Sequence, residues 1–126
     1  MSGVEGPEPV LSRLGEGERF ERPNRVVTIR IDLPDLSVNE IEFDDTFEVP
    51  PHTHDDQVDG FYVLAGDVEF VAGEEIVVGG PGTLFVAPRG ARHGFRNAGS
   101  GRARLLNFHA PDAGFAEWIR SVSASG

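Results

Sequence analysis

Cysteine and lysine are both missing from this sequence, and it holds neither an internal repeat nor a low-complexity tract. Without thiols, disulfides and thiolate zinc sites are excluded, so any metal site has to be built from nitrogen and oxygen donors. No apolar run is long enough to cross a bilayer, and the N-terminal residues lack the basic start and apolar core of a signal peptide. A cytoplasmic chain with no membrane partner is therefore expected. All 11 basic residues are arginine and stand against 21 acidic ones, for a formal net charge of −10 at pH 7. That surplus repels phosphate backbones, so no nucleic-acid partner is expected.

The length, 126 residues, fits one domain with a sizeable core. Residues 1–22 are rich in Gly, Glu, Pro and Arg, the composition of a mobile or loosely docked arm, with Val10, Leu11 and Leu14 available to pack on a neighbour. The domain proper is expected over residues 23–126. Arg25 to Leu33 alternates in polarity and places Val27, Ile29, Ile31 and Leu33 on one face of a strand. Leu36 to Phe43 repeats the pattern, but a slip in its phase suggests a bulge near Asn39 and Glu40. Further strands are expected at Phe47 to His54, on either side of a turn at Ala65 to Asp67, and at Glu75 to Val78, Leu84 to Ala87, His93 to Asn97 and Arg104 to His109. Many short strands separated by Gly/Pro turns indicate an all-β sandwich or barrel. After Pro111 and Asp112 the period changes: Phe115, Trp118, Ile119 and Val122 recur at helical spacing, which predicts a short C-terminal amphipathic helix.

The residues with chemistry to offer fall in two stretches. His52 and His54 stand two apart on an extended segment, so both imidazoles project to one side, and Asp59 follows shortly after. Pro50 and Pro51 withhold ladder donors just before them and are expected to bend that strand toward the barrel mouth. A third imidazole, His93, follows the turn at Pro88 to Gly90. Three imidazoles and a carboxylate suit a divalent first-row transition metal.

With these residues the chain resembles the cupins. Their first motif reads G, five residues, H-x-H, three or four residues, E, six residues, G. It is met by His52, His54 and Gly66, with Asp59 at the glutamate position and Thr46 where the leading glycine would stand. The second reads G, five residues, P-x-G, two residues, H, three residues, N, and is met throughout by Gly82, Pro88, Gly90, His93 and Asn97. The stretch is most similar to small single-domain cupins related to quercetin dioxygenase. That resemblance implies a jelly-roll β-barrel (a double-stranded β-helix) in which His52, His54, Asp59 and His93 surround Fe, Mn, Ni, Cu or Zn. It also implies a small-molecule substrate or ligand and a homodimer.

Within that barrel, Phe61 shares the face of Asp59 and Phe95 that of His93, so both are expected to form an apolar wall at the metal, with Phe85 in the lining. His109 near the end of the last strand is either a structural group or a pocket residue. Asn97 is expected to stabilise a turn. Asp59 is one methylene shorter than glutamate, and three roles stay open for it: direct ligand, partner of the metal through a water, or none. Arg89, Arg92, Arg96, Arg102 and Arg104 form a basic cluster, either a solvated rim of ion pairs or, through Arg92 or Arg96, a guide for an anionic substrate. Two functions follow: a mononuclear metal enzyme, dioxygenase-like or an isomerase, on a small oxygen-bearing molecule, or a non-catalytic binding cupin. A metal-free sugar-nucleotide isomerase fits less well, because the histidine set is complete.

Overall fold

Short alternating strands set the secondary structure, and the turns between them decide which sheet each strand joins. The computed structural model describes residues 6–124; residues 1–5 of the expected arm and residues 125–126 lie outside the described residues. The elements in chain order are β1 (Glu18–Arg22), β2 (Arg25–Asp32), β3 (Ser37–Phe43), β4 (Glu48–His52), β5 (Val58–Ala65), β6 (Val68–Ala72), β7 (Glu75–Gly79), β8 (Leu84–Ala87), β9 (His93–Asn97), β10 (Ala103–Ala110) and α1 (Phe115–Ala124). They form a six-stranded sheet in the order β1-β2-β3-β10-β5-β8 and a four-stranded sheet in the order β4-β9-β6-β7. Every pairing is antiparallel. The two sheets face each other as the expected jelly roll, with one short C-terminal helix.

The strands around Gly66 do not pair with each other. β5 lies between β10 and β8, whereas β6 lies between β9 and β7, so the turn carries the chain from one sheet to the other. Gly66 takes φ +77°, and a Cβ there would come within 2.9 Å of the Ala103 Cα. Only glycine serves both demands.

Cross-strand register sorts the barrel interior by polarity. Moving from β3 across β10 and β5 to β8, one rung reads Ser37, His109, Asp59 and Ala87, and the next reads Asn39, Asn107, Phe61 and Phe85. Beyond them Ile41, Leu105 and Val63 form a purely apolar rung. The polar rungs mark one end of the barrel. The rest is a core in which Phe43, Val63, Val68, Phe70 and Leu105 are fully buried, with Phe70 stacked on Phe85 at 4.5 Å and Phe43 edge-on to Phe95 at 5.4 Å. Truncating any one of these phenylalanines to alanine removes about 3–5 kcal/mol.

The expected phase slip in β3 is corrected. No bulge occurs at Asn39 and Glu40: β3 pairs evenly with β10 from Ser37 to Phe43. The irregularity lies opposite, in β2 between Ile29 and Ile31. The inward residues of β3 are Ser37, Asn39, Ile41 and Phe43 in one unbroken alternation, and the apparent slip arises because its first two inward positions are polar. The intervening Arg30 is re-aimed by the β2 irregularity to Glu40 (2.8 Å), Ser12 Oγ (2.6 Å) and the Ser12 and Arg13 carbonyls.

That contact pins part of the expected arm. The last five arm residues, Glu18–Arg22, are β1 itself, held because Phe20 packs on Ile29, Ala116 and Ile119. In α1 the buried face centres on Ala116 and Ile119, while Trp118 is 55% exposed. Asp112 prepares the helix by accepting from the Gly114 N–H at 3.1 Å. Among the described residues no helix is long and apolar enough to cross a membrane.

Candidate metal centre

The two histidine stretches meet because β4 pairs with β9. Pro50 and Pro51 cannot donate to the ladder, so the register slips between Val49, opposite Phe95, and His52, opposite His93. The expected bend is this slip. Gly94 makes room for it, since a Cβ there would stand 2.7 Å from the Val49 carbonyl oxygen and 2.9 Å from the Pro51 nitrogen. His54 follows just past the end of β4, and Asp59 reaches across from the other sheet on β5. One ligand-capable atom from each of His52, His54, Asp59 and His93 lies within 4.8 Å of all the others. The three imidazole rings sit 4.4–5.2 Å apart, centre to centre.

Backbone carbonyls fix two of the tautomers. His52 Nδ1 lies 2.8 Å from the Pro50 carbonyl and His93 Nδ1 lies 2.9 Å from that of Ala91. A carbonyl only accepts, so in each ring Nδ1 carries the hydrogen and the neutral ring has a bare Nε2. This is the preset that metal-binding histidines require of their second nitrogen. The carboxylate is oriented just as firmly. Asn107 donates through Nδ2 to Asp59 Oδ1 at 2.6 Å and to the Gly60 carbonyl at 3.0 Å, and His109 Nε2 lies 3.3 Å from the same Oδ1. Asp59 Oδ2 is left facing His93 Nε2 at 2.8 Å and His54 Nε2 at 3.7 Å. One carboxylate oxygen is thus held by the wall, and the other is presented to the imidazoles.

The electrostatics follow from this packing. Burial pushes His93 down, but its hydrogen bond to Asp59, the Ala91 carbonyl and the carboxylate charge outweigh it, and its pKa is raised. For Asp59 burial favours the neutral acid, yet the His93 contact leads a set of favourable partners that leaves its pKa lowered. His54 is lowered by burial and then by the neighbouring His52 charge. His109 is lowered by burial, against the pull of Asp59 and Asp112. Nitrogen and oxygen donors, preset tautomers and a low-pKa carboxylate together fit a divalent cation of the transition series.

The cluster opens on a cavity of about 630 Å³ between the sheets. Phe61, Phe95 and His109 all line it, as does Asn107, whereas Phe85 stands behind Phe61 with ring centres 5.9 Å apart. Helix α1 closes one side through Phe115, Trp118 and Ile119. Asn97 stabilises a turn as expected: its Nδ2 donates to the Phe43 and Gly101 carbonyls, and its Oδ1 accepts from the Gly99 N–H.

The arginine cluster is the solvated rim and not a guide to this cavity. Arg96 makes a two-pronged pair with Glu69, Arg104 lies 3.7 Å from Glu40, and Arg89, Arg92 and Arg102 donate to the Asp56, Gly73 and Pro23 carbonyls. None of the five lines the cavity, because strand alternation turns Arg96 away from the face that carries His93 and Phe95. The arginine that does line it is Arg25, together with Phe47 and Gln57. Sequence reasoning passed over all three. Only Asn107 carried a readable signal, its alternation with His109.

A family model described as a cupin domain matches residues 40–109. Among solved structures the chain is similar to KdgF from Halomonas sp., at 23% identity and a TM-score of 0.77, over 86% of this chain and 99% of that one. It is similar to TT1209 from Thermus thermophilus at 26% identity and a TM-score of 0.70, over 80% and 96% of the two chains. It is also similar to Pac13, described as a nucleoside dehydratase, at 19% identity and a TM-score of 0.63, over 82% and 83%. No curated protein sequence matches it significantly. These likenesses carry a small single-domain cupin and do not extend to the quercetin dioxygenase-like subtype. With the family match spanning more than half of its length, the chain belongs to the cupin family.

Proposed function

We propose that this cupin is a mononuclear metal enzyme acting on a small oxygen-bearing organic molecule, with His52, His54, His93 and Asp59 Oδ2 as ligands. The observation that carries the reading is the convergence of bare imidazole nitrogens and one free carboxylate oxygen at the head of an apolar cavity. A cavity of about 630 Å³ matches the size range of small-molecule sites. Fe, Mn, Ni, Cu or Zn held by these four residues would supply a Lewis acid. Phe61 and Phe95 exclude water, and Asn107 holds the carboxylate in place. His109, in the cavity wall beside Asp59, stands within reach of a bound molecule. The similarity to a protein described as a nucleoside dehydratase supports a catalytic use of this fold without choosing the reaction.

The test is elemental analysis of protein purified without an affinity tag, followed by turnover assays, with and without the metal found, on flavonols and diketones. Retained metal with metal-dependent turnover is expected; no retained metal, or turnover indifferent to it, sinks the reading. One observation favours a non-catalytic binding cupin: Asp59 is both shorter than the family's glutamate and tied down by Asn107 and His109. Thermal stabilisation by a ligand that is never converted is the outcome that reading requires.

We propose further that the chain acts as a homodimer. Ile76, Val77 and Val78 of the edge strand β7 and Leu84 and Val86 of the edge strand β8 are all exposed, an uncovered apolar margin on both sheets.

A further inference from the structure

We propose that Arg25 is an anion-recognition residue, and that the pocket takes an elongated, largely apolar organic carboxylate whose acid group pairs with Arg25 while its body runs along the phenylalanine wall toward the histidine cluster. The last part rests on the functional reading given above. Arg25 opens β2 and lines the cavity at the end remote from the cluster: it faces Phe43 across β3, six residues along that strand from Ser37, whose rung carries His109 and Asp59. Six residues correspond to roughly 20 Å of strand, so a ligand that approaches both ends is long, not compact.

The guanidinium is held in readiness rather than consumed. Its carbon sits 5.2 Å from the centre of the Phe47 ring, and one of its nitrogens donates to Asn24 Oδ1 at 3.0 Å. Among the described residues no carboxylate pairs with it, although carboxylates are in excess and Arg30, Arg96 and Arg120 have each taken one or more. A half-buried arginine stacked on an aromatic ring, its remaining donors unspent, suits two-pronged binding of a carboxylate. The pocket's own acids do not compete for it: Asp59 is committed to Asn107 and His93 at the far end, and Glu48 is exposed to solvent. Between the charged ends the walls are Val27, Ile41, Phe61 and Phe95 from the two sheets and Phe115 from α1. A sugar or a nucleotide finds few partners there. An alkyl or aryl acid finds both of its halves matched.

The single tryptophan, Trp118, lies in the pocket wall and reports on occupancy. Octanoate and octanol are titrated into the protein as purified and into Arg25→Gln, following Trp118 fluorescence, with circular dichroism to show that the variant is folded. Octanoate is expected to quench the wild type saturably and to bind Arg25→Gln at least tenfold more weakly, whereas octanol binds both alike. Arg25→Lys, which keeps the charge but loses the planar fork, is expected to fall between them. Equal octanoate affinity in wild type and Arg25→Gln, or no saturable response of the wild type, overturns the proposal. A parallel zinc titration keeps the two readings apart. Arg25→Gln should bind the ion as the wild type does, and failure of both proteins to bind it counts against the metal centre alone.

Discussion

His93 Nε2 and Asp59 Oδ2 lie 2.8 Å apart, and in the neutral ring neither atom carries a hydrogen, because the ring's single proton is on Nδ1, directed at the Ala91 carbonyl. Two acceptors at that distance are stable only with a proton or a cation between them. In the metal-free protein it is the proton, which is why the His93 pKa is raised and that of Asp59 lowered. A metal ion held by this cluster would take the place of that proton. At pH 6.5, where its raised pKa keeps His93 mostly protonated, zinc binding is expected to release protons, read by calorimetry in buffers of different ionisation enthalpy. Release of no proton would remove His93 from the ligand set.

The same pair sets opposite pH trends for the two forms. A raised His93 pKa contributes stability that is complete below the ordinary value of 6.5 and is lost as pH rises through the folded-state value. The lowered Asp59 pKa contributes above 3.8 and is lost only as pH falls through its own lower value. Below pH 6.5, His54 and His109 act the other way, because burial lowers both. Metal-free protein should therefore lose melting temperature as pH rises above 6.5 through the raised His93 value, while zinc-loaded protein gains over the same range as the proton ceases to compete. His93→Gln should flatten the first trend. Parallel trends in the two forms would mean that the ion and the proton do not share this position.

Asn107 was legible only as a neighbour of His109, yet it fixes the carboxylate. Its amide is the shortest contact to Asp59 Oδ1, at 2.6 Å, and its second hydrogen goes to the Gly60 carbonyl. Asn107→Leu keeps the approximate shape and removes both donors. Zinc affinity is expected to fall about 10–100-fold, the usual loss when a partner that orients a ligand is removed. The Gly60 carbonyl loses a buried partner too, at a cost of about 1–3 kcal/mol in the metal-free protein. An affinity unchanged within twofold would show that Asp59 needs no such support.

The clustered histidines could be picked out from the sequence because residue type and spacing alone name them: His52 and His54 two apart, His93 behind a Pro/Gly turn. The strands were legible for a similar reason, since a two-residue period survives where one face is buried. What failed depended on contacts distant in sequence. A phase slip was read into β3 because Ser37 and Asn39, polar residues, are the ones that point inward beside His109 and Asn107. Steering was considered only for arginines near the motif in sequence, while Arg25, far from it in sequence, lines the pocket because β2 and β4 both border the cavity. Register and sheet pairing decide such questions, and a local pattern does not contain them.

Gly94 tests whether the β4–β9 contact builds the site. A methyl group at this buried position would press on the Val49 carbonyl and the Pro50 and Pro51 backbone at 2.7–3.0 Å, and backbone cannot rotate aside as a flexible side chain can. In Gly94→Ala the proline segment must move outward and carry His52 away from His93. Metal affinity should drop more than stability does, the latter by about 1–3 kcal/mol, the cost of overpacking. A variant that binds zinc normally would show that β4 tolerates the shift and that His52 is held by other contacts.

The last prediction concerns the margin formed by β7 and β8. Ile76, Val78 and Leu84 are each at least 60% exposed, on edge strands whose free backbone groups invite pairing. Native sheets usually blunt such edges with charge or proline, and Glu75 alone supplies charge within β7. A covered edge resolves the conflict, and a second copy with the same surface is the simplest cover. Light scattering should give a dimer, and Ile76→Asp with Leu84→Asp should give a monomer that keeps its fold, because neither side chain contributes to the buried core. The monomer should also keep its zinc affinity, since both positions lie outside the cavity lining. A wild-type monomer would leave the apolar margin bare in solution, and an unchanged dimer in the double variant would place the interface on another face.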